Sequence, residues 1–351
     1  MKQKVWLLSL VVLLVVGSFS IAGADTILFP VIASNPPNVV TIVSVGNRAG
    51  AEDSLCMGPC PPGPTHLKYI YRYKDTYTAG SIPNTTGPCT SFSFWRPTVD
   101  RDLVSFDVSG YFSGGNALFG DPNSYGGGFG IPAIGAKRGY LLVTQSDSAG
   151  ARVSWGEGTL HGEAVVMDIV GGAAWGYTAI NDGERQDYGF TFTRPQLAVL
   201  YPKIVSGPPD FHIFVDSRPF TFFPLGPPES WITRFFVTPT GDDMDTANLS
   251  TAIRLSSGYL EGNPVNSILD RGGNRVGSTV SQGISCTGAI ELPTLFDSTA
   301  LSVVQGTGGW AFLYNNGTTN PVIVYKLEYV FQSSTYGGTN NNAYCLSCMF
   351  D

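Results

Sequence analysis

Six cysteines, three histidines and a few close-set carboxylates are the residues of this chain whose types and spacing could do chemistry. The thiols stand as Cys56-x3-Cys60, Cys89, Cys286 and Cys345-x2-Cys348. Their chemistry depends on the compartment, and the first 24 residues address that. Lys2 and Lys4 precede an almost unbroken apolar run over 5–16, and the stretch ends in Ala22-Gly23-Ala24. This is the layout of a secretory leader with a small-x-small cleavage site, and it predicts a mature chain beginning near Asp25. No later run approaches a membrane-spanning length, so no integral membrane segment is expected after cleavage. In an exported chain an even number of cysteines reads first as disulfide crosslinks, with the pairing left open. Four thiolates from Cys56, Cys60, Cys345 and Cys348 offer zinc as the rival, although Met57, Pro59 and the adjacent prolines make an unusual knuckle. A c-type haem is excluded, because Met349 stands where Cys-x-x-Cys needs its histidine.

His161 and Glu163 flank Gly162, so on a strand their side chains share one face and offer an acid-base pair or two metal ligands. Asp210 and His212 repeat the spacing. Both pairs also suit an ordinary strand edge or surface. Glu157, Glu163 and Asp168 crowd a stretch containing Trp155 and Trp175, which suggests the two carboxylates of a glycoside hydrolase. Asp242, Asp243 and Asp245 gather hard oxygen ligands suited to calcium. Ala247 breaks the EF-hand pattern there, and a solvated turn is the competing account. No Gly-x-Ser-x-Gly occurs, and Gly126-Gly127-Gly128-Phe129-Gly130 lacks the Lys-Ser/Thr of a phosphate loop, so it is expected to be a flexible loop. No catalytic residues are assigned.

The elements that must position these residues are strands. Period-two alternation recurs over 39–45, 67–74, 91–95, 103–108, 163–169 and 322–330, separated by glycine and proline clusters. Over 67–74, Leu67, Tyr69, Tyr71 and Tyr73 form an apolar face, opposed by Lys68, Arg72 and Lys74 with Ile70 between them. With one face cationic, the tyrosines are expected to build the core of a sandwich. Helical turns are expected at most over 292–301 and 246–255. The trp residues 95, 155, 175, 231 and 310 are expected to divide between core and loops.

Two halves share signposts in one order. Leu28-Phe29-Pro30, Pro36-Pro37, Thr41, Cys89, Gly139 and an apolar strand over 164–169 are matched by Phe222-Phe223-Pro224, Pro227-Pro228, Thr233, Cys286, Gly309 and a strand over 321–329. The chain is therefore expected to be all-β, with two tandem antiparallel β-sandwich domains at 25–200 and 201–335 arising by diverged duplication. A flexible tail at 336–351 would carry Cys345 and Cys348. Chance recurrence of Phe-Pro and Pro-Pro in a proline-rich chain is the competing account.

Ile27-Leu28-Phe29-Pro30, the strand over 39–47, Arg138-Gly139-Tyr140-Leu141-Leu142-Val143 and Ala173-Ala174-Trp175-Gly176-Tyr177 resemble uncharacterised exported β-rich proteins of Gram-negative bacteria. The resemblance implies an envelope or extracellular setting and brings no catalytic residues with it. Charged residues make up only 13% of the chain, and the net charge of -7 comes without basic runs. That argues against nucleic acid, whose phosphates demand clustered Lys and Arg.

These features together predict a secreted, non-enzymatic structural or adhesive component, located in the periplasm, on the cell surface or outside the cell. Its expected partners are further copies of itself or other envelope proteins, with polysaccharide as another. The alternatives are a polysaccharide-binding module or secreted glycoside hydrolase, and an outer-membrane β-barrel suggested by Tyr325-Lys326-Leu327-Glu328-Tyr329-Val330-Phe331.

Overall fold

A computed structural model describes residues 25–47, 65–76, 86–121, 128–132, 135–153, 159–169, 173–181, 217–227, 230–240, 244, 248–260, 263–315, 322–333 and 338–345. The first half forms β1 (Thr26–Ser34), β2 (Val39–Asn47), β3 (His66–Asp75), β4 (Thr90–Pro97), β5 (Asp102–Asp107), β6 (Lys137–Ser146), β7 (Leu160–Asp168), β8 (Ala173–Thr178) and β9 (Ile180–Asn181). These strands make two antiparallel sheets, ordered β4-β3-β6-β1-β9 and β5-β2-β7-β8.

The second half forms β10 (Ser217–Phe222), β11 (Ile232–Pro239), β12 (Ser250–Ser256), β13 (Tyr259–Leu260), β14 (Asn263–Pro264), β15 (Ile268–Asp270), β16 (Arg275–Val276), β17 (Gln282–Ser285) and β18 (Gly288–Glu291). A 3-10 turn at Leu292–Leu295 and the helix α1 (Ser298–Val304) follow, then β19 (Gly309–Asn315), β20 (Val322–Ser333) and β21 (Gly338–Cys345). One sheet runs β18-β11-β20-β21. In the other, β19 pairs with β10 on one side and with β12 and β15 on the other, bordered in turn by β17 and β16.

The two halves repeat one strand order. β10, β19 and the broken strand β12 plus β15 stand where β1, β6 and β3 stand, and β17 with β16 replaces β4. β18-β11-β20-β21 likewise repeats β5-β2-β7-β8. The glycine-led strands coincide in register: Gly139 pairs with Ile32, and Gly309 with Phe222. Both glycines permit a close approach of backbones, since a Cβ would lie 1.9 Å from the Arg72 carbonyl oxygen or 2.4 Å from that of Leu269. The Phe-Pro signposts do not coincide. Phe29-Pro30 lies inside β1, whereas Phe223-Pro224 follows the end of β10, and the register matches Phe29 to Phe220 instead.

The alternation of β3 does bury its tyrosines. Tyr69 stacks on Phe94 at 5.1 Å and meets Phe106 and Phe129 edge-on, which are favourable arrangements for ring quadrupoles. Phe129 comes from the glycine-rich stretch expected to be a flexible loop, yet it is wholly buried. Gly128, at φ 98°, and Gly130, where a Cβ would come within 3.1 Å of the Gly110 nitrogen, let that backbone fold against its neighbours and drive the ring inward. The cationic face of β3 also differs from expectation. Arg72 and Lys74 are buried, because the Lys74 ammonium donates to the carbonyls of Gly87 and Ser285, the latter in the second half.

Two further expectations change. The candidate helical stretch over 246–255 contains β12, whose Thr251, Ile253 and Leu255 alternate inward, the first two being of the β-branched type that strands favour. The stretch expected to be a mobile lead to Cys345 supplies β21, whose backbone completes the edge of β20. The helical turns expected over 292–301 are present, with the Asp297 carboxylate capping α1 through the Ala300 N–H.

The halves are pressed into one body with a common core. Trp175 of β8 packs on Phe236 and Tyr325 of the second half at 5.5 and 5.9 Å, and Tyr177 meets Tyr325 at 5.0 Å. The register shift between Phe29 and Ile32 frees two carbonyls of β1, as a bulge does. The Pro30 carbonyl accepts from the Thr238 hydroxyl at 2.6 Å, and that of Val31 from the Tyr177 hydroxyl at 2.5 Å. A Cys89–Cys286 disulfide also crosses the contact.

Asp25, the first residue expected to follow the leader, is a buried strap between the sheets of the first half. Its carboxylate accepts from the Leu160 N–H at 2.5 Å and the Thr159 hydroxyl at 3.3 Å, while its backbone bonds Gln145. Asp25→Ala leaves the Leu160 amide unsatisfied and is expected to cost about 1–3 kcal/mol, read as a lower urea midpoint at unchanged slope.

Candidate functional site

His161 and Glu163 do share the exposed face of β7. The His161 ring lies over Gly46, where a Cβ would come within 2.1 Å of it. Glu163 stands in a row across the sheet with Ser44, Ser105 and Thr178, and the two serine hydroxyls hydrogen-bond at 2.7 Å. General acid-base work needs a second group to orient the imidazole. Glu163 lies two residues along the same strand, and no bond between it and His161 is present among the described residues.

Trp175 does not stand beside Glu163, since it points to the opposite face and into the contact between the halves. Asp168 ends β7, and His66 opens β3 with its Nδ1 3.0 Å from the Thr65 hydroxyl. Trp95 is partly exposed with its indole N–H donating to the Ser148 carbonyl; Trp231 is buried; Trp310 meets Phe312 edge-on. Glu157, Trp155, Asp210, His212, Asp242, Asp243, Asp245, Cys56, Cys60 and Cys348 lie outside the described residues, and Cys345 is described through its backbone pairing with Tyr325. Among the described residues no group of three His, Cys, Asp or Glu side chains is placed to hold a metal.

The second half contains an ion pair that the sequence reading did not single out. Lys326 and Glu328 are sealed inside the sandwich, with Nζ 2.5 Å from Oε2. The Lys326 ammonium also donates to the Thr221 carbonyl at 2.5 Å and lies over the Phe220 ring. Oε1 of Glu328 accepts from the Thr233 hydroxyl at 3.0 Å and the Phe223 N–H at 3.3 Å. Burial pulls the lysine pKa down, against the pull of Glu328 upward. In the first half the equivalent threonine, Thr41, bonds both backbone groups of Ala33 directly, and Ala164 and Val166 occupy the register positions of Lys326 and Glu328. The signal was present as two opposite charges at i and i+2 in an otherwise apolar strand. Sealed from water and substrate, the pair is a packing device.

Lys74 is another buried cation, its pKa brought down to about 8 by burial and then by Arg138. A lysine whose ammonium is disfavoured in the fold leaves the unfolded chain binding more protons between pH 8 and the ordinary value of 10.5. Stability contributed by this group therefore rises with pH across that window. Lys74→Met is expected to flatten the rise, seen as a gap between variant and wild-type urea midpoints that changes between pH 7 and about pH 9.5.

Exposed apolar side chains gather on one flank of the first half. Trp95 (42% exposed), Val99 (51%) and Leu103 (60%) follow one another from the edge strand β4 through a turn to the edge strand β5. Tyr111, Phe112 and Phe119 project from the connector that follows, which lies beside β5 through the bridge of Ala117 to Phe106 and the Leu118 N–H to the Ser105 carbonyl. A concentration of large apolar groups at a sheet edge is the pattern of an interaction surface.

The fold and this flank define a class: a tandem pair of open antiparallel β-sandwiches, crosslinked into one body and bearing an apolar edge. β20, whose alternation suggested a membrane barrel, lies between β11 and β21 in one of these open sheets. Comparison with protein-family models, with curated proteins and with solved structures finds no match for the chain.

Proposed function

We propose that the protein is a secreted, non-enzymatic structural or adhesive component of the bacterial envelope or extracellular surface, evolved by duplication of one sandwich. The observation that carries this reading is the way the halves are bound together. A disulfide, a shared aromatic core and hydrogen bonds from the β1 bulge all cross one contact. A body crosslinked in this way suits a load-bearing role. A disulfide that holds two halves of a fold suits an oxidising compartment. The apolar flank lies on edge strands of the first half, where a sheet can meet a partner.

Fractionation of the native host, following the mature chain with and without chelator and reductant, tests the reading. Retention on the cell surface is expected, with release by reductant if disulfides anchor it or by chelator if calcium does. Free monomer in the culture medium would overturn it.

A further inference from the structure

We infer that β4 is a self-complementary edge through which two copies of this chain pair, joining their sheets about a two-fold axis at Ser93. The inference deepens the structural reading above by naming the partner and the strand that meets it.

The pairing of β3 with β4 fixes which backbone groups face outward. The Thr98 N–H donates to the Thr65 carbonyl, and the register continues without a bulge from His66↔Pro97 to Tyr73↔Thr90. Hydrogen-bonded pairs alternate along an antiparallel ladder. Arg96, Phe94, Phe92 and Thr90 therefore turn their backbone groups toward β3, and Ser91, Ser93 and Trp95 turn theirs toward the free edge. β4 is the terminal strand of its sheet, and all three of these residues are exposed. The strand carries no lysine, no bulge and no inward-pointing charge over Ser91–Phe92–Ser93–Phe94–Trp95, and among the described residues no strand pairs with its outer side. Arg96 and Pro97 limit the edge at one end, and the Cys89 crosslink limits it at the other.

The residue types are the argument for a second copy. About Ser93 the strand is close to a palindrome, with Phe92 and Phe94 on one face and Ser91 and Trp95 on the other. Antiparallel pairing of two such strands sets Ser93 opposite its own copy, and each Phe92 opposite the Phe94 of the other chain. Phe92 is half-buried and already lies 5.6 Å from its own Phe94, so the pairing extends an existing aromatic row across the junction. On the outer face each Ser91 lies opposite a Trp95, whose exposed indole gains cover. The Trp95 carbonyl accepts from the Arg96 guanidinium at 2.9 Å and keeps its second lone pair for the partner strand. Two-fold symmetry closes the assembly at two copies, as isologous interfaces do.

Sedimentation velocity of the purified mature chain, from about 1 to 100 μM, tests the inference. Wild type is expected to pass from monomer to dimer across that range. Ser93→Pro deletes the outward N–H at the axis, a substitution an edge strand tolerates, and Ser93→Lys sets two like charges against each other there. Both variants are expected to remain monomeric at the highest concentration, with urea midpoints equal to wild type at low concentration. A wild type that stays monomeric throughout, or a folded Ser93→Lys variant that still dimerises, would overturn the inference. Dimerisation is read on purified protein, so its failure stands apart from a failure of surface retention, which bears on the envelope reading alone.

Discussion

Glu328→Gln is expected to lower stability by about 3–5 kcal/mol, the range for removing one member of a buried ion pair. The amide would still accept from Thr233 and Phe223, so the loss comes from leaving the Lys326 ammonium in an apolar interior without its counter-charge. Lys326→Met is expected to cost a similar amount, because Glu328 then keeps its charge with only neutral donors. The double variant Lys326→Ala/Glu328→Val places in the second half the two residues that the first half has at these register positions, Ala164 and Val166. It is expected to recover most of either single loss, since replacing a whole buried pair by apolar groups is often neutral or better. Urea denaturation of wild type, the two single variants and the double variant decides the point, by whether the double variant lies nearer wild type than either single one does. Single variants as stable as wild type would mean that water reaches the pair.

How much of this fold could be read from the sequence depends on what each residue answers to. The tyrosine face of β3 was legible because alternation and a cationic opposite face are local, and the core follows from them. The repeat was legible in order but not in register. Gly139 and Gly309 mark equivalent close approaches, whereas Phe29-Pro30 and Phe223-Pro224 look alike and are not equivalent, because proline serves a bulge in one case and a strand end in the other.

Contacts between the halves were not legible. Arg72 and Lys74 read as solvated until a carbonyl more than two hundred residues away covers the ammonium, and no local pattern announces such a partner. Phe129 was hidden for the opposite reason. Its neighbours are glycines, whose composition suggests mobility while the positive φ of Gly128 and the missing Cβ of Gly130 serve tight packing. Of the chemical candidates, His161 and Glu163 fell on one face as their spacing required, but periodicity places side chains on a face and says nothing of a third group to complete a site.

The pairing of Cys89 with Cys286 was the least legible feature and carries the second large prediction. The bond closes a loop across 197 residues. In the chain-entropy account, a crosslink of that span stabilises by restricting the unfolded ensemble, by about 5 kcal/mol at most. Cys89→Ala/Cys286→Ala is therefore expected to lose about 2–5 kcal/mol. The folded halves should nevertheless stay in contact, because the Trp175 cluster and the Thr238 bond to Pro30 do not depend on the sulfurs. A loss that acts through the unfolded chain has a signature of its own. The urea midpoint falls while the slope rises, since the denatured chain without the crosslink expands and exposes more surface. Wild type treated with reductant should shift in the same direction as the variant, and the part of that shift due to this bond should vanish once both cysteines are gone. If the midpoint fell with no change in slope, the bond would be acting on the native contact instead. The halves would then be held together mainly by sulfur, and separate unfolding transitions should appear in the variant.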